Sequence, residues 1–218
     1  RNATGGLAHY VTRKPTAETN GYAKITGGEY DQVKFEGAVG GALHENIFVR
    51  ASFATHHNGG YVENRVLGDD INNANDYAGR IQFLVTPTDT TELLLNGRYA
   101  IQQIRTGGPF ENVSSSSTDG ATGFLTPGLT NFNGYRDGDG DVFAGDYDRF
   151  GHQDMESYGA TATFKWDIND RVSMTSISDF QHIDRDYTED SDASPFADFN
   201  FFLSTDADQW SQEIRFNG

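Results

Sequence analysis

The residues best suited to chemistry in this chain are carboxylates. In "DGDGDVFAGDYD", Asp137, Asp139 and Asp141 alternate with glycines and Asp148 follows. These stand at positions 1, 3, 5 and 12 of a calcium loop, a spacing that wraps several oxygen ligands around one hard cation. Val142 occupies position 6, where such loops turn on glycine, and position 12 is aspartate rather than bidentate glutamate. The spacing therefore supports two expectations. One is a calcium site at Asp137, Asp139, Asp141 and Asp148. The other is an acidic, glycine-rich loop kept solvated by its charge and needing no cofactor.

The loop that holds this stretch is rich in aromatics. Phe132, Tyr135, Phe143 and Tyr147 lie in it, and "SPFADFNFF" adds Phe199 and Phe201. Aromatics in polar connecting segments mark binding surfaces, or else pack the loops on one another. Both readings stand for these six residues. His56, His57, His152 and His182 are scattered, as surface histidines usually are. No Ser–His–Asp set, paired catalytic carboxylates or phosphate-binding loop stands out, so the expectation is a protein that is not an enzyme. The chain has no cysteine, which excludes a zinc–thiolate centre and a cysteine nucleophile.

The elements that must carry these loops read as strands. Period-two alternation dominates the 218 residues. Ile47, Val49, Ala51 and Phe53 share one face, with Arg50 and Ser52 on the other. Ile81, Phe83 and Val85 oppose Arg80 and Gln82. Leu93, Leu95 and Tyr99 oppose Asn96 and Arg98. Tyr158, Ala160, Ala162, Phe164 and Trp166 oppose Thr161 and Lys165. "RVSMTSISDFQHI" reads as the weakest strand, because Ile177 breaks the phase. The pattern predicts about eight strands of about ten residues, the length that crosses a bilayer at a tilt. No run approaches the roughly 18 apolar residues of a membrane helix.

The connections alternate too. "GGALHEN", "TPTDTT" and "DINDR" are short, whereas long polar loops are expected near 58–76, 105–155 and 184–208. Short turns on one rim and long loops on the other are the asymmetry of an outer-membrane β-barrel. Tyr22, Tyr30, Tyr77, Tyr158, Trp166 and Trp210 lie near strand ends, as girdle aromatics do. A net charge of −16 argues against nucleic acid, which needs a basic patch.

The opening residues carry a family likeness. "RNATGGLAHYVTRKP", Arg1 to Pro15, resembles the signature that ends the plug of TonB-dependent outer-membrane receptors. "GEYDQVKFEGAVGGAL" resembles the first barrel hairpin of that family, and "SQEIRF" resembles a barrel strand common in it. The resemblance implies an all-β, antiparallel transmembrane barrel, of which this chain supplies about eight strands of roughly 22. Residues 1–16 would be the end of the plug and its linker, and 17–218 the first part of the barrel. It further implies active uptake of a scarce ligand, a ferric siderophore first, at the bacterial outer membrane. The implied partners are the TonB energy-transducing complex, acting through the plug, and membrane lipid. The competing expectation is a secreted, calcium-binding β-sheet adhesin, which explains the aspartates but not the plug-exit residues.

Overall fold

A computed structural model of the chain describes residues 11–107, 135–137, 139–197 and 199–218. Among these, every long element is a strand. The chain order is β1 (Asn20–Gly27), β2 (Val33–His44), β3 (Ile47–Asn58), β4 (Glu63–Asn64), β5 (Ala74–Thr88), β6 (Thr91–Ile104), β7 (Ala144–Gly145), β8 (His152–Asn169), β9 (Val172–Asp190) and β10 (Asn200–Asn217). Eight strands form one antiparallel sheet in the order β1-β2-β3-β5-β6-β8-β9-β10. The sheet is a simple meander, open at β1 and β10.

Its two faces can be read from the register. Ala51, Ile81, Gly97, Ala160, Phe180 and Trp210 are partners in one row across six strands. One residue along, Arg50, Gln82, Asn96, Thr161, Asp179 and Ser211 form the next row. Neighbouring residues of a strand point to opposite faces, so one face is apolar and the other polar. The polar face is the covered one. Arg50 and Gln82 are only 7% and 4% exposed, while Trp210 on the apolar face is 77% exposed. A soluble sandwich has the opposite arrangement. Apolar outside and polar inside is the pattern of a barrel wall in lipid.

Polar contacts on the inner face are specific. The Arg98 guanidinium donates to Thr161 Oγ1 at 2.9 Å and to Asp179 Oδ1 at 3.1 Å, and Thr161 donates to the same carboxylate at 2.5 Å. Gly159 makes room for it, because a Cβ there would lie 2.8 Å from the guanidinium carbon and 2.6 Å from the Phe180 carbonyl. Arg50 donates to Asn20 Oδ1 at 2.7 Å.

The segment before β1 follows this face. Gln82 donates to Thr12 Oγ1 at 3.3 Å, Lys14 pairs with Glu92 at 2.5 Å, and Pro15 is buried. The chain thus passes from the middle of the inner face to the short-turn rim before it enters β1. Arg1 to Tyr10, which hold the front of the plug-like signature, lie outside the described residues.

The short turns are where the sequence puts them, at Glu45–Asn46, Asp89–Thr90 and Asp170–Arg171. At the third, Asn169 Oδ1 accepts the Arg171 and Val172 amides at 2.9 and 3.0 Å. Three expectations need correction. The weakest-patterned segment is a strand as expected, the 19-residue β9. Ile177 is no fault in it, because its row runs through Leu84, Leu94 and Thr163 on the inner face. The third long connection is not 184–208 but 191–199, since β9 runs on to Asp190 and β10 begins at Asn200. Tyr22 is no girdle residue: it pairs with Ala38 on the inner face.

Candidate functional site

The described residues of the long connections fold together above the sheet into a small cap. Val62 and Ile71 of the first loop, Tyr147 of the second and Ala193 of the third form one buried cluster. Strands β4 and β7 join the first two loops as a parallel pair, Glu63 with Ala144 and Asn64 with Gly145. Tyr147 is 1% exposed. A side chain at Gly145 would come within 2.5 Å of its ring, so the ring and the bare backbone fit together.

An ionic clamp reinforces this. Arg65 Nη2 reaches Asp137 Oδ2 at 2.9 Å, Nε reaches Asp146 Oδ1 at 2.8 Å, and Nη1 pairs with Asp139. One guanidinium therefore binds three carboxylates 72 to 81 residues away in sequence. Its pKa is raised, first by the hydrogen bond to Asp146. Burial pushes the Asp137 carboxyl up, while the Asp141 amide and then Arg65 hold Asp139 below the usual range. Tyr135 donates to Asp146 Oδ2 at 2.8 Å, which ties the second loop to the clamp again.

The four aspartates of the calcium-like spacing thus have separate tasks. Asp137 and Asp139 hold Arg65. Asp139 Oδ1 also accepts the Asp141 amide at 2.8 Å, and Asp141 Oδ1 accepts the Phe143 amide at 2.9 Å. Asp148 donates its amide to Asp190 Oδ2 at 2.9 Å. Among the described residues, no three carboxylate or imidazole side chains converge so as to hold a metal ion. His56 faces Asp76 at 3.4 Å, and His182 bonds Asp208 at 2.9 Å and stacks on Tyr158.

The six candidate aromatics separate likewise. Phe132 lies outside the described residues. Tyr147 is core and Tyr135 is an internal tie. Phe143 and Phe199 are exposed, and Phe201 packs edge-on to Tyr187 with centroids 6.1 Å apart. Sequence reasoning missed three residues here. Arg65 gave one signal, an arginine alone in an acidic loop. Tyr30 and Tyr61 each come shortly after a glycine pair, Gly27–Gly28 and Gly59–Gly60, and join Phe143 in a chain of rings, with centroids 6.0 and 6.5 Å apart.

Under the long-loop rim the inner face holds a concavity of about 450 Å³. Arg80, Arg98, Gln181 and Gln209 give it polar groups, and Ala78, Ala100 and Ala207 leave it space.

Asp190 makes the cap sensitive to pH. It is 3% exposed, and it accepts the amides of Asp148, Asp192 and Ala193. Burial first, then the charges of Asp192 and Asp148, push its pKa up to about 7. The same burial and the Asp190 charge push Tyr147 up to about 12. A carboxyl raised in the folded state stabilises below its unfolded pKa, and that contribution is lost as pH rises through the folded value. Amide exchange, corrected for intrinsic rates, should therefore show residues 145–149 and 191–194 better protected at about pH 5 than at about pH 8. Asp190→Asn should flatten that dependence.

Comparison with known proteins adds to this geometry. No family model matches the chain, and no curated protein matches it by sequence. Solved structures do match. The ferric yersiniabactin uptake receptor FyuA of Yersinia pestis superposes with a TM-score of 0.69 over 94% of this chain, at 13% identity. The ferric-catecholate import receptor Fiu of E. coli K12 matches in its closed and open forms, each with a TM-score of 0.58 over 93% of the chain, at 14% and 15% identity. The chain spans under a third of those receptors, 28% to 30% of their length. At such identities the likeness is one of fold, and the open eight-stranded sheet has the fold of part of these receptors.

Proposed function

We propose that this chain is the end of the plug and the first part of the barrel of a transporter that takes up a scarce ligand across the bacterial outer membrane. A ferric siderophore is the ligand class that the two matched receptors suggest, since both are named for ferric-siderophore import. The observation that carries the reading is the reversed sheet. Its apolar face is exposed, and its polar face is covered and holds the segment from Thr12 to Asn20. Such a wall suits lipid outside and a polar lumen inside. The loop cap lies where an external ligand would first arrive, above the concavity around Arg80 and Arg98. In this reading residues 1–16 connect plug to barrel, and TonB acts through the plug.

The test uses the whole receptor that contains this region, expressed in cells lacking their own siderophore receptors. Uptake of a radio-iron chelate should appear in the outer-membrane-sorted protein's presence and collapse when TonB is deleted or a protonophore is added. A protein that stays in the soluble fraction, or uptake indifferent to TonB, would refute the proposal.

A further inference from the structure

We infer that the loop cap is a proton-held gate. The Asp190 carboxyl carries the hydrogen that locks the second and third long connections to the sheet, and loss of that hydrogen opens the way to the concavity beneath. The gate depends on the cap alone and holds for any cargo.

Three observations carry it. The first is how much one carboxyl joins. Asp190 ends β9 and is 3% exposed. Its Oδ2 accepts the Asp148 amide of the second connection at 2.9 Å. Its Oδ1 accepts the Asp192 and Ala193 amides of the third at 3.2 and 2.9 Å. Ala193 and Tyr147, next to Asp148, share one buried cluster with Val62 and Ile71 of the first connection. Freeing Asp190 therefore unpins all three connections at one point.

The second is a shortage of donors. Asp148 Oδ1 is buried without a hydrogen-bond partner, and so is Asn200 Oδ1. Asn200 stands directly opposite Asp190 across the β9–β10 pair, so their side chains share a face. Among the described residues no lysine or arginine pairs with Asp190 or Asp148. Arg65 holds Asp137, Asp139 and Asp146, Arg149 lies over the Phe202 ring, and Arg185 lies over the Tyr187 ring. The ionisable groups around Asp190 are acids: Tyr147 and Asp148 on the second connection and Asp192 on the third. Glu189, next along β9, bonds Tyr187 and Ser191 instead. An ionised Asp190 is thus a buried charge without a cation. A neutral one brings an O–H to a place where acceptors lack donors.

The third is strain. Ala193 is 1% exposed yet adopts φ of +48°, a left-handed conformation that alanine disfavours. The Asp190 carboxyl holds it there through the Ala193 amide. When the carboxyl ionises, its desolvation cost and the released strain both favour opening.

The concavity with Arg80, Arg98 and Ala100 lies under this cap, so the cap governs access from the long-loop rim. Opening moves Asp190 from a buried place, where its pKa is about 7, to water, where an aspartate titrates near 4. The closed cap is therefore fully favoured below about pH 4. Opening gains about tenfold per pH unit from there to about 7 and nothing more above it.

Single cysteines in a cysteine-free background of the whole receptor, in detergent, read the gate. Ser194→Cys puts a thiol at a fully buried cap position, and Ala100→Cys puts one in the concavity. Labelling with a neutral maleimide is divided, at each pH, by its rate with a short peptide thiol. Both ratios should rise by at least about tenfold from pH 5 to pH 8 and level off above about 7. Ala100→Cys decides alone where Ser194→Cys disturbs the cap. Asp190→Asn, neutral at every pH, should abolish the rise whatever its starting level. Asp148→Asn removes a flanking charge and should bring the plateau to lower pH. Flat ratios in the native background overturn the gate, as does a rise that survives Asp190→Asn. Free labelling of Ala100→Cys at pH 5 would overturn it too, because the closed cap would then bar nothing. None of these outcomes bears on TonB-dependent uptake, which the preceding test decides.

Discussion

Replacing Arg65 with alanine should loosen the cap while leaving the barrel wall as it is. The guanidinium is the only group that reaches Asp137, Asp139 and Asp146 at once among the described residues. Its removal leaves Asp137 buried with no cation, next to two other carboxylates. Losing one partner of a fully buried ion pair costs about 3–5 kcal/mol. Arg65 is partly open to solvent, so about 2 kcal/mol is the reasonable scale here. Hydrogen exchange should report it as a roughly 30-fold loss of protection over residues 63–67 and 141–147, with little change in β5, β6 or β8. The thermal transition of the barrel should not move.

This variant also decides the question of calcium. In the native cap Arg65 already supplies the positive charge to Asp137, Asp139 and Asp146, so calcium at about millimolar concentration should leave protection of the native loops unchanged. Arg65→Ala removes the resident charge and leaves three carboxylates facing one another. Calcium should then restore part of the lost protection. If the native loops tighten with calcium, Arg65 is not the cation they are built around.

The wall was legible because alternation is local. A strand in lipid must keep one face apolar at every second residue, so Leu93, Leu95 and Tyr99 reveal their shared face without any knowledge of partners. The signal fades where the constraint does. Toward the long-loop rim both faces carry polar residues, and Asp184 and Asp186 in β9, with Asp206 and Asp208 in β10, read as loop although all four are paired strand residues. Ile177 misled for a related reason. Near the short-turn rim the inner face is partly apolar, with Leu84 and Leu94 in its row, so an apolar residue there breaks the apparent phase without breaking the strand.

The cap was legible only in outline. The aspartate spacing and the loop aromatics drew attention to the right segment. Their tasks depend on contacts between residues far apart in sequence, Arg65 with Asp146 and Val62 with Tyr147, which no local pattern records. Tyr30 is the sharpest case. From the sequence it reads as an aromatic at a strand end, and only the positive φ and the neighbouring Tyr61 ring show it to be one end of a chain of rings.

The most consequential assignment is which face meets lipid, and adjacent residues of one strand test it. Leu95 and Asn96 are neighbours in the middle of β6 and point to opposite faces. Leu95 shares its row with Phe83 and Ala162, and Asn96 shares its row with Gln82 and Thr161. Arginine at a lipid-facing site near the bilayer midplane costs about 2–4 kcal/mol, whereas changes toward the lumen are tolerated. Leu95→Arg in the whole receptor should therefore refold into vesicles with a stability lower by that amount, or fail to insert. Asn96→Arg should cost under about 1 kcal/mol, because the inner face already accommodates Arg50, Arg80 and Arg98. Urea unfolding from lipid vesicles measures both. A soluble sandwich with its apolar face turned inward by a second sheet would also suffer from Leu95→Arg, but it would unfold without any dependence on lipid. Equal costs at the two positions would mean that the covered polar face is a packed core rather than a lumen, and the transporter reading would lose its physical basis.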